Sequence, residues 1–241
     1  MAKRKLGYFF YNTFLALTGL ILLPVIIFRI FTGYSTVGTS FKKQDGPSLK
    51  PTLWIHAATK GQLTVINSIF EQLTSSFTGY QVVLTYTGKT PLSADMSLAP
   101  DIMSIVLPYS IEFCASKIIS QINPELILMV EDPFYPNLVR HSNAAGIKVA
   151  LIGGRVNFRL SSAYRLAPEF IKSVLNGIDL LMMGSVAEAN GIGKLGAALP
   201  TILVSRAVGH QDMEWEGDRP DADHLLKEAV GAIGTLLGRG F

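Results

Sequence analysis

The 241 residues are 49% hydrophobic and 16% charged, enough for one full-sized domain with a large core once an apolar N-terminal stretch is set aside. Cys114 is the sole cysteine, so an internal disulfide is excluded. The formal charge of +3 hides an asymmetry: residues 1–43 carry Lys3, Arg4, Lys5, Arg29, Lys42 and Lys43 and no acid. The remainder is net acidic and shows no basic-aromatic stripe, which argues against nucleic-acid binding.

Residues 6–31 are almost wholly apolar or aromatic, broken by Asn12, Thr13, Thr18, Pro24 and Arg29. As a helix they would run roughly 39 Å at 1.5 Å per residue, long enough to cross a bilayer. Lys3, Arg4 and Lys5 also suit a signal peptide, but the stretch is too long and lacks a small-residue cleavage site. The expectation is a membrane anchor over residues 1–33. It either spans, or lies half-inserted with its basic residues at anionic headgroups, and basic flanks on both sides leave its orientation open.

A polar stretch with Pro47 and Pro51 makes residues 34–51 a linker. Short β-branched runs then follow at 52–57, 81–86, 102–107, 126–130, 149–152, 180–183 and 201–204. Helical periodicity alternates with them at 63–77, 112–122, 135–145 and 167–175. This is the pattern of βαβ units, so residues 52–208 are expected to form an α/β, Rossmann-like parallel sheet covered on both faces. In such sheets a ligand binds outside the carboxyl ends of the strands. His56 with Gly61 and Gln62, the stretch 85–90, Pro108 with Tyr109, Glu131 with Asp132, and Arg155 all fall at strand ends.

Three blocks carry a resemblance. They are Trp54-Ile55-His56-Ala57-Ala58-Thr59-Lys60-Gly61-Gln62, the run from Pro124 through Glu131 to Tyr135-Pro136-Asn137, and Gly154-Arg155 with Arg159, Ser161 and Tyr164. In that order the chain resembles the lipid A Kdo transferases, which add 3-deoxy-D-manno-octulosonic acid to the lipid A precursor. Their motifs read W-I-H-A-x-S-x-G-E, P-D-L-x-I-x-M-E-T-E-L-W-P-N and N-A-R-L-S-x-R-S-x-x-x-Y. The resemblance implies one half of a two-domain GT-B enzyme, with the sugar-nucleotide domain missing from a sequence that ends soon after the first. It also implies a tether at the cytoplasmic face of the bacterial inner membrane.

The resemblance further implies a glycolipid site built from His56, Lys60, Gly61, Gln62, Glu131, Asn137, Arg155 and Arg159. The glutamate expected as general base is Gln62 here, and the family's second acidic position falls on Pro133. An amide has no basicity near pH 7, and loss of a general base costs about 10²–10⁴ in rate, yet the amide still donates and accepts hydrogen bonds. Glu131 would be a replacement base, a cap for the helix after Pro136, or the partner of an arginine. Arg155 and Arg159 suit phosphate or carboxylate. His56 is a base or a structural histidine, and Lys60 an anion contact or solvated.

No metal-ligand spacing links His141, His210 or His224 to other ligands, and no cofactor is expected. Gly191-Ile192-Gly193-Lys194-Leu195-Gly196 spells G-x-G-x-x-G, but it follows a helical segment and precedes a strand, so these glycines are read as a turn. Residues 209–241 read as an acidic linker and an amphipathic helix that packs back on the domain or docks a partner chain. The expected function is a membrane-tethered, non-catalytic module that binds glycolipid or serves as an accessory subunit. The alternative is an active Kdo transferase whose donor domain comes from another polypeptide.

Overall fold

The computed structural model describes residues 2–31, 50–59, 62, 66, 73–87, 103–107, 111–132, 134–198, 202–204 and 230–238. The expected linker, most of the acidic C-terminal stretch, and Lys60, Gly61, Pro108 and Tyr109 lie outside these residues.

The chain begins with α1 (Ala2–Phe31), followed by β1 (Thr52–Ala57). Residues 62, 66 and 73–76 are helical. Next come β2 (Gln81–Thr87), β3 (Met103–Leu107), a 3-10 turn at Ile111–Phe113 and α2 (Ala115–Ile122). Then β4 (Leu126–Val130), α3 (Pro136–Ala144), β5 (Lys148–Gly154), α4 (Phe158–Leu166), α5 (Pro168–Leu175), β6 (Leu180–Met183), α6 (Val186–Lys194) and β7 (Ile202–Val204) alternate. The strands form one parallel sheet in the order β3-β2-β1-β4-β5-β6-β7. This is the Rossmann arrangement, and the direction of winding reverses between β1 and β4.

Both faces of the sheet are covered, which is why its strands read as unbroken apolar runs. Period-2 alternation sends Trp54, Ile127, Met129, Val149, Leu151 and Leu181 into one core. Leu53, Ile55, Leu84, Leu126, Leu128 and Ile152 go to the other. Each such aliphatic side chain withdrawn from water contributes about 1.5–3 kcal/mol. Helical residues Val230 and Ile233 are buried in the second core, so the C-terminal apolar stripe packs on the domain over these positions.

Helix α1 corrects the expectation of a span. Among the described residues no helix is long and apolar enough to cross a membrane. Physically, one side of α1 is already occupied by the domain. Tyr8 is buried with its ring edge-on to Phe170, 4.9 Å away. Arg140 lies over the Tyr8 ring at 5.1 Å, and Tyr11 and Asn12 make polar bonds to Glu112 and Asn137. Groups bonded in this way cannot face hydrocarbon. The other side leaves Leu6, Phe9, Phe10, Phe14, Leu17, Leu20 and Ile21 exposed. At 100° per residue they share one apolar arc of roughly 140°.

Two further expectations change. Residues 158–166 form a helix where no helix was expected, and Gly191 and Gly193 lie inside α6 and not in a turn. Ser185 caps α6 by accepting from Glu188 N–H, and only Gly196, at φ 93°, makes the turn.

Candidate functional site

The sheet places the candidate residues on both sides of the winding reversal: His56 near the end of β1 and Gln62 after it, Glu131 after β4 and Arg155 after β5.

Gln62 sits in a reciprocal capping box. Its backbone N–H donates to Thr59 Oγ1 at 3.3 Å, while its Oε1 accepts from Thr59 N–H at 3.3 Å and Ala58 N–H at 2.6 Å. The side chain at the general-base position is therefore buried and holds the turn after β1.

His56 is fully buried in a three-way contact across β1 and β2. Trp54 Nε1–H donates to Thr85 Oγ1 at 2.7 Å, and the same hydroxyl lies 2.9 Å from His56 Nδ1 but 3.4 Å from the Ile55 carbonyl. With its own proton donated to the Ile55 carbonyl, the Thr85 hydroxyl accepts from Trp54 and from His56 Nδ1–H, which leaves Nε2 as the unprotonated ring nitrogen. Nε2 has no hydrogen-bond partner among the described residues. The ring meets Tyr135 edge-on at 5.2 Å. Burial lowers the His56 pKa to about 4, partly offset by a hydrogen bond to the Thr85 backbone, so the imidazole is neutral at physiological pH and a poor proton acceptor.

Glu131 adopts φ 60°, the left-handed region that costs a non-glycine residue about 1–2 kcal/mol. Two backbone bonds hold it there: its N–H donates to Ile152 O and its carbonyl accepts from Arg155 N–H, both at 2.9 Å. On its far edge, where it pairs with β6, β5 carries a register shift between Leu151 and Gly154, with Gly153 at φ 59°. A Cβ on Gly154 would come within 2.6 Å of Leu151 and Met183. This irregular backbone directs Glu131 Oε1 to 3.9 Å from Arg155 Nη1, with the arginine side chain 53% exposed and the glutamate 14%. An exposed cation beside a sheltered carboxylate at the end of β4 is a fitting contact for a ligand's polar groups. The neighbouring Asp132 accepts from Phe134 N–H through Oδ1 at 2.9 Å.

Glu131 does not cap α3, as one sequence reading had it. Tyr135 provides no side-chain cap there, and the buried carboxylate of Glu112 accepts from Asn137 N–H at 2.9 Å and Leu138 N–H at 3.2 Å. Sequence reasoning missed Glu112 because it lies 25 positions from the helix it caps. Asn137 is likewise drawn into this joint, donating to Asn12 Oδ1 and to the Glu112 carbonyl, although its own Oδ1 has no partner among the described residues. Arg159 lies on α4, with its side chain outside the described residues, as Lys60 and Gly61 are entirely. Among the described residues no group of His, Cys, Asp and Glu could hold a metal ion.

A parallel Rossmann-like sheet thus brings a Gln-capped turn, a buried histidine and a Glu-Arg pair to neighbouring strand ends. The family model described as 3-deoxy-D-manno-octulosonic-acid transferase (kdotransferase) matches residues 34–207, and the chain belongs to that family through its N-terminal domain. A 3-deoxy-D-manno-octulosonic acid transferase of Chlamydophila psittaci is 20% identical over 73% of this chain and 42% of its own length. The enzyme of the same name from Haemophilus influenzae is 22% identical over 61% and 34%. A bifunctional glycosyltransferase/methyltransferase of Fusobacterium nucleatum is 26% identical over 64% and 25%. The chain spans less than half the length of each of these relatives. Among solved structures, the UDP-GlcNAc 2-epimerase of Methanocaldococcus jannaschii is similar with a TM-score of 0.47 and 12% identity, over 64% of this chain and 45% of that one.

Proposed function

We propose that this chain is an acceptor-side Kdo-transferase domain that binds a lipid A-type glycolipid at the membrane surface and does not transfer sugar on its own. The observation that carries this reading is Gln62. The residue aligned with the family's general base is an amide whose oxygen already accepts two backbone N–H groups, so it has neither the basicity nor the free oxygen to take a proton. Glu131 and Arg155 supply a polar contact that binding without turnover requires.

The exposed arc of α1, with Lys3, Arg4 and Lys5 at its start, suits a helix lying in the headgroup region of an anionic leaflet. An arc this wide exceeds the narrow seam of a coiled coil. These features support attachment at an anionic membrane surface, which we take to be the cytoplasmic face of the bacterial inner membrane, with the module an accessory subunit to a partner chain.

A second reading, transferase activity with a donor domain from another polypeptide, is favoured by one observation: Glu131 is held in strained backbone beside the cleft. The test is to purify the chain from membranes, identify what co-purifies, and measure phosphoglycolipid binding and Kdo transfer on the same sample. Binding without transfer, with transfer restored by Gln62→Glu plus a donor domain, supports the first reading. Transfer by the unaltered chain that is abolished in Glu131→Gln overturns it in favour of the second.

A further inference from the structure

The carboxylate of Glu112 joins pieces of chain that are far apart in sequence. Its Oε2 accepts from Tyr11 Oη on α1 at 2.7 Å and from Asn137 N–H at 2.9 Å, and its Oε1 accepts from Leu138 N–H at 3.2 Å. Asn137 closes the joint by donating through Nδ2 to Asn12 Oδ1 at 2.9 Å and to the Glu112 carbonyl at 3.2 Å. The first turn of α3 and the inner face of α1 are thus fastened to the same buried group.

Residues 131–135 connect that joint to the cleft. Glu131 is at one end, paired with Arg155, and Tyr135 is at the other, edge-on to His56 at 5.2 Å. Between them Phe134 meets the Tyr11 ring at 6.0 Å, so α1 touches this segment directly as well as through Glu112. A displacement of α1 at Tyr11 therefore has a continuous packed and hydrogen-bonded route to His56, through contacts that are all buried or half-buried.

We propose that Glu112 is a positioning residue that couples the seating of α1 to the geometry of the cleft at Tyr135, His56 and Glu131. Docking of α1 at a lipid surface then sets the shape of the site that receives the headgroup. This rests on the reading of the cleft as a glycolipid site, but its test does not need the ligand. Glutamine cannot replace Glu112, because whichever way its amide is turned, an NH₂ group faces a donor that the carboxylate accepts.

The experiment uses the full chain in anionic nanodiscs, with selectively labelled Tyr, Phe and His. Ring cross-peaks between Tyr8 and Phe170 report whether α1 is seated, and the imidazole signals of His56 report the cleft. The double variant Tyr11→Phe/Asn12→Ala is expected to lose the cross-peaks and to shift the His56 signals. Gly7→Leu, which lifts the helix by a different route, should produce the same His56 shift. Loss of the cross-peaks with unchanged His56 signals overturns the coupling. Cross-peaks that survive the double variant overturn the role of the joint in seating α1. Absence of phosphoglycolipid binding by the unaltered chain would instead sink the reading of the site and leave the His56 result standing.

Discussion

Thr59 and Gln62 cap each other: the hydroxyl accepts the N–H of Gln62, and the amide oxygen accepts the N–H of Thr59. Either side chain cut to alanine should cost about 1 kcal/mol, with Gln62→Ala, which removes two bonds, costing more than Thr59→Ala, and the double variant less than the sum because the neighbours share one turn. Gln62→Glu keeps the geometry and places a charge where the helix dipole favours it, so stability should hold or rise by up to about 1 kcal/mol. Chemical denaturation of the four variants beside the unaltered chain checks this.

His56 makes stability depend on pH. Its folded pKa of about 4 lies below the ordinary value of 6.5, so between these limits the unfolded chain binds the extra proton. Stability is therefore full above pH 6.5 and falls as the pH drops toward 4, by on the order of 3 kcal/mol. Unfolding of His56→Gln measured across the same range should lack this component of the slope.

Strain at Glu131 gives a reversed stability effect. Glycine enters the left-handed region freely, so Glu131→Gly should be at least as stable as the unaltered chain, whereas Glu131→Val should lose about 1–3 kcal/mol. If the position is kept for the ligand, Glu131→Gly also loses phosphoglycolipid binding. Thermal unfolding paired with a binding isotherm separates the two effects.

Gly7 brings the α1 backbone close against Phe170 of the domain. A side chain there would put its Cβ 2.8 Å from Phe170 Cβ, an atom that cannot swing aside. Gly7→Leu should detach α1 from the domain surface and expose it to limited proteolysis in detergent, while the sheet keeps its cooperative unfolding.

The outer face of α1 is tested with vesicles. Phe10→Asp and Phe14→Asp remove exposed apolar groups without touching the docked side, and each should weaken sedimentation with anionic vesicles at least tenfold. High salt should weaken binding further by screening Lys3, Arg4 and Lys5.

The strands were legible in the sequence because both faces of the sheet are covered, so runs such as Leu126–Val130 are apolar at every position. Helix α4 was not, since Ser161, Ser162 and Arg165 blur its period, and α6 accommodates Gly191 and Gly193 because the Ser185 cap and packing override propensity. The site was legible in part. Gln62 stood out as a departure from a motif, but the spacing of Thr59 and Gln62 also spelled a capping box, and the chemical reading concealed the structural one. The backbone of Glu131 carries no signal, because nothing in the residue type announces a positive φ. Glu112 and Asn137 reach groups 101 and 125 positions away, which no local pattern records.

Those separations bear on the order of synthesis. Glu112 follows Tyr11 by 101 residues, which at 5–20 residues per second means roughly 5 to 20 s between their appearances. During that interval α1 has no domain to dock on, and both its faces are bare. Its contacts with Glu112, Asn137 and Phe170 can form only once those later residues have been made.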